Sequence, residues 1–404
     1  MGRGADSVSG VRIAGTAIGL LAAAIGAVAA VTTVVMARRV VTPPTTRTED
    51  VRILSVDLPR GEVVLAASEE TRMRGRYGLW FERDSGHARL GEILGETDHT
   101  VRRRVDAVDF GRLDRAARGR INGWYHLGPW ELGHTYENVL VETPLGPAPA
   151  WFVPAAALST QWVVQVHGRG AKRQEGLRAV DPARDAGWNT LLVSYRNDGE
   201  APESADRRYG LGGTEWADVV AAVRYAEQHG AERIVLMGWS MGGSIVLQAV
   251  LRSAAVRERL VGVILDSPAI DWVDILRFQG TLQKLPPGYG DIVVRLLGGP
   301  WSGGLTGLAA PISVEELDPV ARADELDVPI LLMHSEDDGY VPIDGSRRLA
   351  AARPDLVQFE VFAGARHTKL WNHDPARWTR LVRGWLERSD ADVRRLAEEA
   401  EIAG

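Results

Sequence analysis

Eleven residues from Arg233 to Gly243 constrain the fold more than any other part of the chain. Ile234-Val235-Leu236-Met237 is a short apolar run without alternation, which is how a strand buried on both faces reads. Gly238-Trp239-Ser240-Met241-Gly242 breaks the run, and Ser244-Ile-Val-Leu-Gln-Ala-Val-Leu251 continues as a helix. Strand, tight turn and helix in direct succession put Ser240 on the turn. Such a turn strains the backbone and brings helix against strand, so the flanking positions need residues without side-chain bulk, here Gly238 and Gly242. In a chain with 44 glycines a bare G-x-S-x-G arises readily by chance; the strand before it and the helix after it make the motif specific.

The surroundings repeat this alternation. From Glu137 onward short apolar runs alternate with helical patterns, which predicts a mostly parallel eight-stranded sheet with helices on both faces. Strands are expected near Val139 to Glu142, Ala148 to Val153, Trp162 to Val166, Thr190 to Ser194, Ile234 to Met237, Val261 to Leu265, Ile330 to Met333 and Phe359 to Phe362. Helices are expected over Thr214 to His229, Gly242 to Ser253, Ile343 to Ala352 and Pro375 to Arg388, the last with Pro375 as first helical residue and Asp374 as cap. Residues 270–326 interrupt the pattern with Pro286, Pro287, Gly288, Gly298, Gly299 and Pro300 and read as a lid insert. Its Trp272, Phe278, Leu282 and Trp301 either line an apolar pocket or seal the lid to the body. This α/β body spans 137–390, followed by a tail, 391–404.

Before it, residues 51–136 carry short alternating stretches separated by Gly, Asp and Arg, a small β-rich accessory region without a catalytic motif. Its Trp80, Trp124 and Trp130 read as packing against the main body, with a contact surface near a membrane as the rival. Residues 41–50, with Pro43, Pro44 and four Thr, read as an extended linker. From Ile13 to Ala37 the chain runs without a charge, bounded by Arg12, Arg38 and Arg39, and is long enough to span hydrocarbon once. Residues 1–40 are therefore expected to form a single-pass membrane anchor. A cleaved signal peptide competes, because Ala27-Val28-Ala29 offers a small-residue cleavage pattern, whereas a soluble surface helix would show a charged face. Arginines flank the segment on both sides, so its orientation is not readable.

Composition removes several classes of function. A net charge of -6 without a long single-sign run provides no field for nucleic acid. The absence of cysteine excludes thiol nucleophiles, thiolate metal sites and disulfides. There is no His-Glu-x-x-His or clustered ligand pattern, and neither a metal nor a cofactor is expected.

A serine hydroxyl is a poor nucleophile at neutral pH; it needs a base, and the base needs an acid to fix its tautomer. Ile330-Leu-Leu-Met-His334 runs into the acidic turn Glu336-Asp337-Asp338, and Phe362-Ala-Gly-Ala-Arg366-His367 is a strand running into a loop. Spacing from the strand end favours Asp338 over Asp337 and Glu336. His367 lies nearer its strand than His373 and is the favoured base, while His334 reads as structural. The helix N-terminus after Ser240 offers the Met241 N–H to a developing oxyanion. A second donor is expected from Val166-His167-Gly168-Arg169-Gly170, with the Arg169 N–H favoured, Gly168 as its rival, and His167 shaping the turn.

At these residues the chain resembles the α/β-hydrolase superfamily, whose acid turn commonly reads His-Gly-x-x-Asp-x-x-Val-Pro and is matched by His334 to Pro342 with Ser335 in place of glycine. The resemblance covers roughly Glu137 to Arg388 and includes the loop at His167-Gly168, the turn at Ser240, the acid at Asp338 and the histidine at His367. It also looks like serine esterases, lipases and aminopeptidase-like members that carry an Arg-Asn-Asp-Gly-Glu stretch, here Arg196 to Glu200. The resemblance implies a serine hydrolase acting on a small-molecule or lipid acyl substrate through an acyl-enzyme, which the uncharged N-terminal run would anchor to a membrane. Peptidase or thioesterase activity, or a catalytically silent tethered binding protein, are the alternatives, because fold and triad do not fix the substrate.

Overall fold

A computed structural model describes residues 26–27, 29–45 and 47–403, with side chains as far as residue 389. Two β-structures follow one another along the chain. The first is a closed barrel of β1 (Val51–Asp57), β2 (Glu62–Ala66), β3 (Tyr77–Phe81), β4 (Gly86–Glu96), β5 (Thr100–Phe110) and β6 (Arg118–Asn122), joined in the order β1-β2-β5-β4-β3-β6. Closure removes the unpaired edges that an open sheet of this size would leave. Alternate residues point inward, so Val63, Leu65, Tyr77, Leu79, Phe81 and Leu90 form its core. Arg103 also points inward. Its guanidinium donates to the carbonyls of Gly91, Thr71, Met73 and Gly75, and burial pushes its pKa down to about 10.

The second is an eight-stranded sheet in the order β14-β13-β12-β11-β9-β10-β8-β7. Its strands are β7 (Glu137–Thr143), β8 (Gly146–Val153), β9 (Gln161–Val166), β10 (Asn189–Val193), β11 (Arg233–Trp239), β12 (Leu260–Asp266), β13 (Ile330–Ser335) and β14 (Val357–Phe362). β9 through β14 pair in parallel, and β8 is antiparallel to both β7 and β10. Apolar residues of β11 alternate between two cores: Ile234 and Leu236 face one layer, Val235, Met237 and Trp239 the other. That double burial is the reason the strand reads as an unbroken apolar run. After β9 the chain moves to β10 on one side and then to β11 on the other, so the loops leaving β9 and β11 diverge at the crevice where open α/β sheets bind ligands.

Helix α1 (residues 29–41) precedes the barrel. Around the sheet lie α2 (Val180–Asp185), α3 (Trp216–Gln228), α4 (Met241–Arg252), α5 (Ala254–Arg259), α6 (Trp272–Leu282), α7 (Tyr289–Gly298), α8 (Ser302–Thr306), α9 (Asp344–Ala352), α10 (Leu370–His373) and α11 (Pro375–Ala403). α6, α7 and α8 fall in the expected lid, where Trp272 is buried and donates to the Leu211 carbonyl while Leu282 and Trp301 are exposed. α11 continues to Ala403, past the expected end at Arg388. The turn before α2 escapes a sequence pattern because its Glu175 and Arg178 are buried.

Among the described residues no helix is long and apolar enough to cross a membrane. Residues 1–25 of the expected anchor lie outside the described residues; its last part, within α1, rests on the body. Thr33, Met36, Ala37 and Val41 are buried, whereas Val31 and Val35 on the opposite face are exposed. An apolar run carries no polar stripe to mark which face a core covers, so sequence does not distinguish bilayer from protein here. The expected linker is also held: the Val41 carbonyl accepts from the Tyr209 N–H at 2.7 Å, and Arg47 donates to the Gly170 carbonyl.

Candidate active site

Ser240 occupies the turn between β11 and α4 with φ 51° and ψ -119°, a conformation that a non-glycine residue holds only when its neighbours enforce it. Its N–H donates to the Asp266 carbonyl, and its carbonyl accepts from Gly243 and Ala269. A Cβ on Gly242 would stand 2.1 Å from the Val166 carbonyl oxygen, and one on Gly238 2.5 Å from that of Gly242. These contacts explain why both flanking positions are glycine.

The loops after β13 and β14 bring Asp338 and His367 to the same end of the sheet. His367 Nε2 lies 2.8 Å from Ser240 Oγ, and His367 Nδ1 lies 2.6 Å from Asp338 Oδ2. A carboxylate accepts, so Nδ1 carries the proton and Nε2 is left to accept from the hydroxyl. The other candidates stand elsewhere: Asp337 accepts from the Gly364 N–H, Glu336 pairs with Arg347, and His373 packs against Gly364. Burial pushes the Asp338 carboxyl up, but electrostatic attraction to the His367 ring and hydrogen bonds from His334 and His367 outweigh it and hold the group well below the ordinary carboxylate range. Its second oxygen accepts the N–H groups of Tyr340 and Val341. With four donors around it, Asp338 is a fixed anion.

Gly168 and Arg169 leave the end of β9 beside Ser240. The Gly168 N–H, the rival of the Arg169 N–H, donates to Glu175 Oε2 at 2.7 Å. His167 is buried, its Nε2 3.1 Å from Asp198 Oδ2, with Tyr195 stacked on its ring; it shapes the turn. The Arg196 to Glu200 stretch supplies Asp198 and an ion pair between Arg196 and Asp218.

Two supports were not apparent from the sequence. Glu175 and Arg178 form a buried pair at 3.3 Å, and Arg178 also donates to the Thr368 carbonyl at 2.6 Å. One guanidinium thereby ties the loop of Gly168 to the loop of His367. The barrel supplies the second support. Asn372 donates to the Arg76 and Gly123 carbonyls and accepts from the Arg76 N–H, while Arg366 pairs with Glu69. The histidine loop is therefore braced from the accessory region, and Trp124 is buried where the two meet the linker residue Arg47. Behind the site, burial pushes the Asp266 carboxyl up, against the opposing influence of Arg178 and of hydrogen bonds from Trp378 and Ser267.

A cavity of about 300 Å³ opens between the 204–214 loop and the lid, walled by Leu308, Ile312 and Leu317. Ser240 does not line it.

Residues 52–122, the barrel, match a domain of unknown function (DUF8805). Residues 163–381 match the alpha/beta hydrolase family. Among curated proteins the chain is 21% identical over 232 residues to the uncharacterised protein YqkD of Bacillus subtilis (strain 168), covering 56% of this chain and 70% of that one. It is 26% identical over 236 residues to the uncharacterised protein YfhR of Salmonella typhimurium, covering 53% and 71%. Among solved structures, the Pyrococcus furiosus esterase Pf2001 superposes with a TM-score of 0.50 at 19% identity, covering 65% of this chain and 94% of that one, a likeness of fold. With over half of its residues matching the family and its strands in the corresponding architecture, the chain belongs to the alpha/beta hydrolase family.

Proposed function

We propose that the protein is a serine hydrolase that cleaves a carboxylic ester or related acyl bond by two-step acyl transfer. Ser240 attacks the carbonyl, His367 takes its proton and later returns it to the leaving group, and Asp338 holds the imidazole in the tautomer this requires. The Met241 and Arg169 N–H groups receive the oxyanion. Water then attacks the acyl-enzyme with His367 again as base. The observation that carries this reading is the continuous chain from Asp338 through His367 to Ser240 Oγ, at 2.6 and 2.8 Å. Incubation of the purified full chain with a short p-nitrophenyl ester and with a fluorophosphonate tests it: release of p-nitrophenol and labelling at Ser240 are expected, both lost in Ser240→Ala. A folded chain inert to both reagents would refute the proposal and favour a binding role.

The same proposal extends to location. The uncharged run from Ile13 supports a membrane anchor at the N-terminus. Of that run, Thr33, Met36 and Ala37 are buried on the body, and the stretch from Ile13 to Val28, about 16 residues, is at the short limit for one span. Carbonate extraction of membranes from expressing cells should leave the full chain in the pellet; recovery in the supernatant would remove the anchor from this reading.

A further inference from the structure

Helix α1 ends against the loop that carries the Arg169 N–H. The last carbonyls of a helix have no acceptor role within it and seek donors outside. Here the donor is the Arg169 side chain. Its Nε donates to the Val40 carbonyl at 2.7 Å, and its Nη2 donates to Thr42 at 2.9 Å and to Arg39. A guanidinium at this position also meets the negative end of the helix dipole. Further along the loop, a Cβ on Gly170 would meet Pro44 Cγ at 2.6 Å, and the Gly170 carbonyl accepts from Arg47. The strap is itself anchored: Val41 is fully buried in the main core and its carbonyl accepts from the Tyr209 N–H. On its inner side the loop is fixed by Glu175 through Gly168.

We infer that residues 36–45 together with Arg47 form a strap that positions the second oxyanion donor, and that Arg169 is a positioning residue through its side chain as well as a donor through its backbone. This rests on the acyl-transfer reading. A fork-shaped side chain gripping three carbonyls of one backbone turn fixes the rotation of its own residue, and hence the direction in which its N–H points. The strap continues α1 directly, so whatever holds the chain before residue 29 is mechanically joined to the site.

The test uses the full chain with Arg169→Ala, Arg169→Gln and Arg169→Lys, all of which keep the backbone N–H. With a p-nitrophenyl ester, Arg169→Ala is expected to lower kcat about 100-fold with KM within about twofold, the scale expected when a catalytic donor is misplaced by about 1 Å. Affinity for a trifluoromethyl ketone, which forms the tetrahedral oxyanion on Ser240, should fall in parallel with kcat, a change that loss of packing alone would not produce. Arg169→Gln keeps one donor and Arg169→Lys keeps the charge without the fork; each should lie between Ala and wild type, and the Gln variant carries the test if the Ala variant does not fold. An active wild type whose folded Arg169 variants keep kcat and ketone affinity within about twofold would overturn the inference alone. A wild type inert to ester and fluorophosphonate would overturn the acyl-transfer reading and this inference with it.

Discussion

His334 Nε2 stands 3.2 Å from Asp338 Oδ2, the same oxygen that accepts His367 Nδ1 at 2.6 Å. His334 Nε2 is also 3.2 Å from the Val341 carbonyl, which can only accept, so that nitrogen carries a proton and shares it between the two oxygens. Its Nδ1 reaches Ser346 Oγ at 2.8 Å. A residue that reads in sequence as structural therefore holds the acid of the proposed triad from behind. Replacing His334 by Ala should destabilise the fold by about 1–3 kcal/mol, because buried partners lose their donor. It should also lower kcat about tenfold, equivalent to about 1.4 kcal/mol of weakened support for the imidazolium, with KM unchanged. Ester kinetics beside thermal denaturation separate the two; an unchanged kcat in a destabilised variant would limit His334 to a structural role.

On the acyl-transfer reading, Asp338 links catalysis to acid stability. Its folded-state pKa is depressed, so its contribution to stability is complete above the ordinary carboxylate value of about 3.9 and is lost as pH falls through the lower folded value. Asp338→Asn should unfold at a lower temperature than wild type at pH 7, and the gap should close below about pH 4. Calorimetric scans from pH 7 to pH 3 measure it, and a gap that widens with acid would contradict the assignment. The same variant should lose about 10⁴-fold in kcat, since the amide donates where the carboxylate accepts and favours the wrong tautomer.

Gly242→Ala tests the close approach of α4 to β9. The new Cβ would lie 2.1 Å from a backbone oxygen that cannot rotate away. A loss of about 3 kcal/mol or more is expected, at the upper end of overpacking costs. Gly304→Ala, where a Cβ meets nothing within 4 Å, should shift the melting temperature little. Parallel melting curves compare the two, and equal effects would mean that the elbow is not tightly packed.

Arg178→Met should be among the most damaging single changes away from Ser240. It strands buried Glu175, for which about 3–5 kcal/mol is expected. The double variant Glu175→Gln, Arg178→Met should recover most of the stability yet remain slow, because the bond to the Thr368 carbonyl is still missing. Chemical denaturation and ester kinetics on both variants give the comparison; full recovery of kcat would show that the pair serves folding alone.

From the sequence the sheet, the turn at Ser240 and the order of the loops bearing Asp338 and His367 could be read, because each depends on local pattern: unbroken apolar runs, glycines at fixed offsets, polar residues just beyond strand ends. Local pattern also placed the β-rich region before the body. It did not reveal that this region closes into a barrel bracing Asn372 and Arg366, since that contact joins residues nearly three hundred positions apart. Glu175 and Arg178 were hidden for a related reason. Buried charges look like surface charges until their partners are known, and theirs come from β9 and the loop after β14.

Helix α1 shows the limit most directly. Twenty-five uncharged residues state that the stretch favours an apolar surrounding, and sequence goes no further. Whether that surrounding is hydrocarbon or protein depends on what lies opposite each face, and for Met36 and Ala37 it is the hydrolase core. Sequence determined which polar residues fall on the turn and loops at the ends of these strands, because backbone periodicity and turn sterics act over a few residues. Tertiary packing alone decided what holds them in place, because burial and hydrogen-bond partners are properties of the assembled chain.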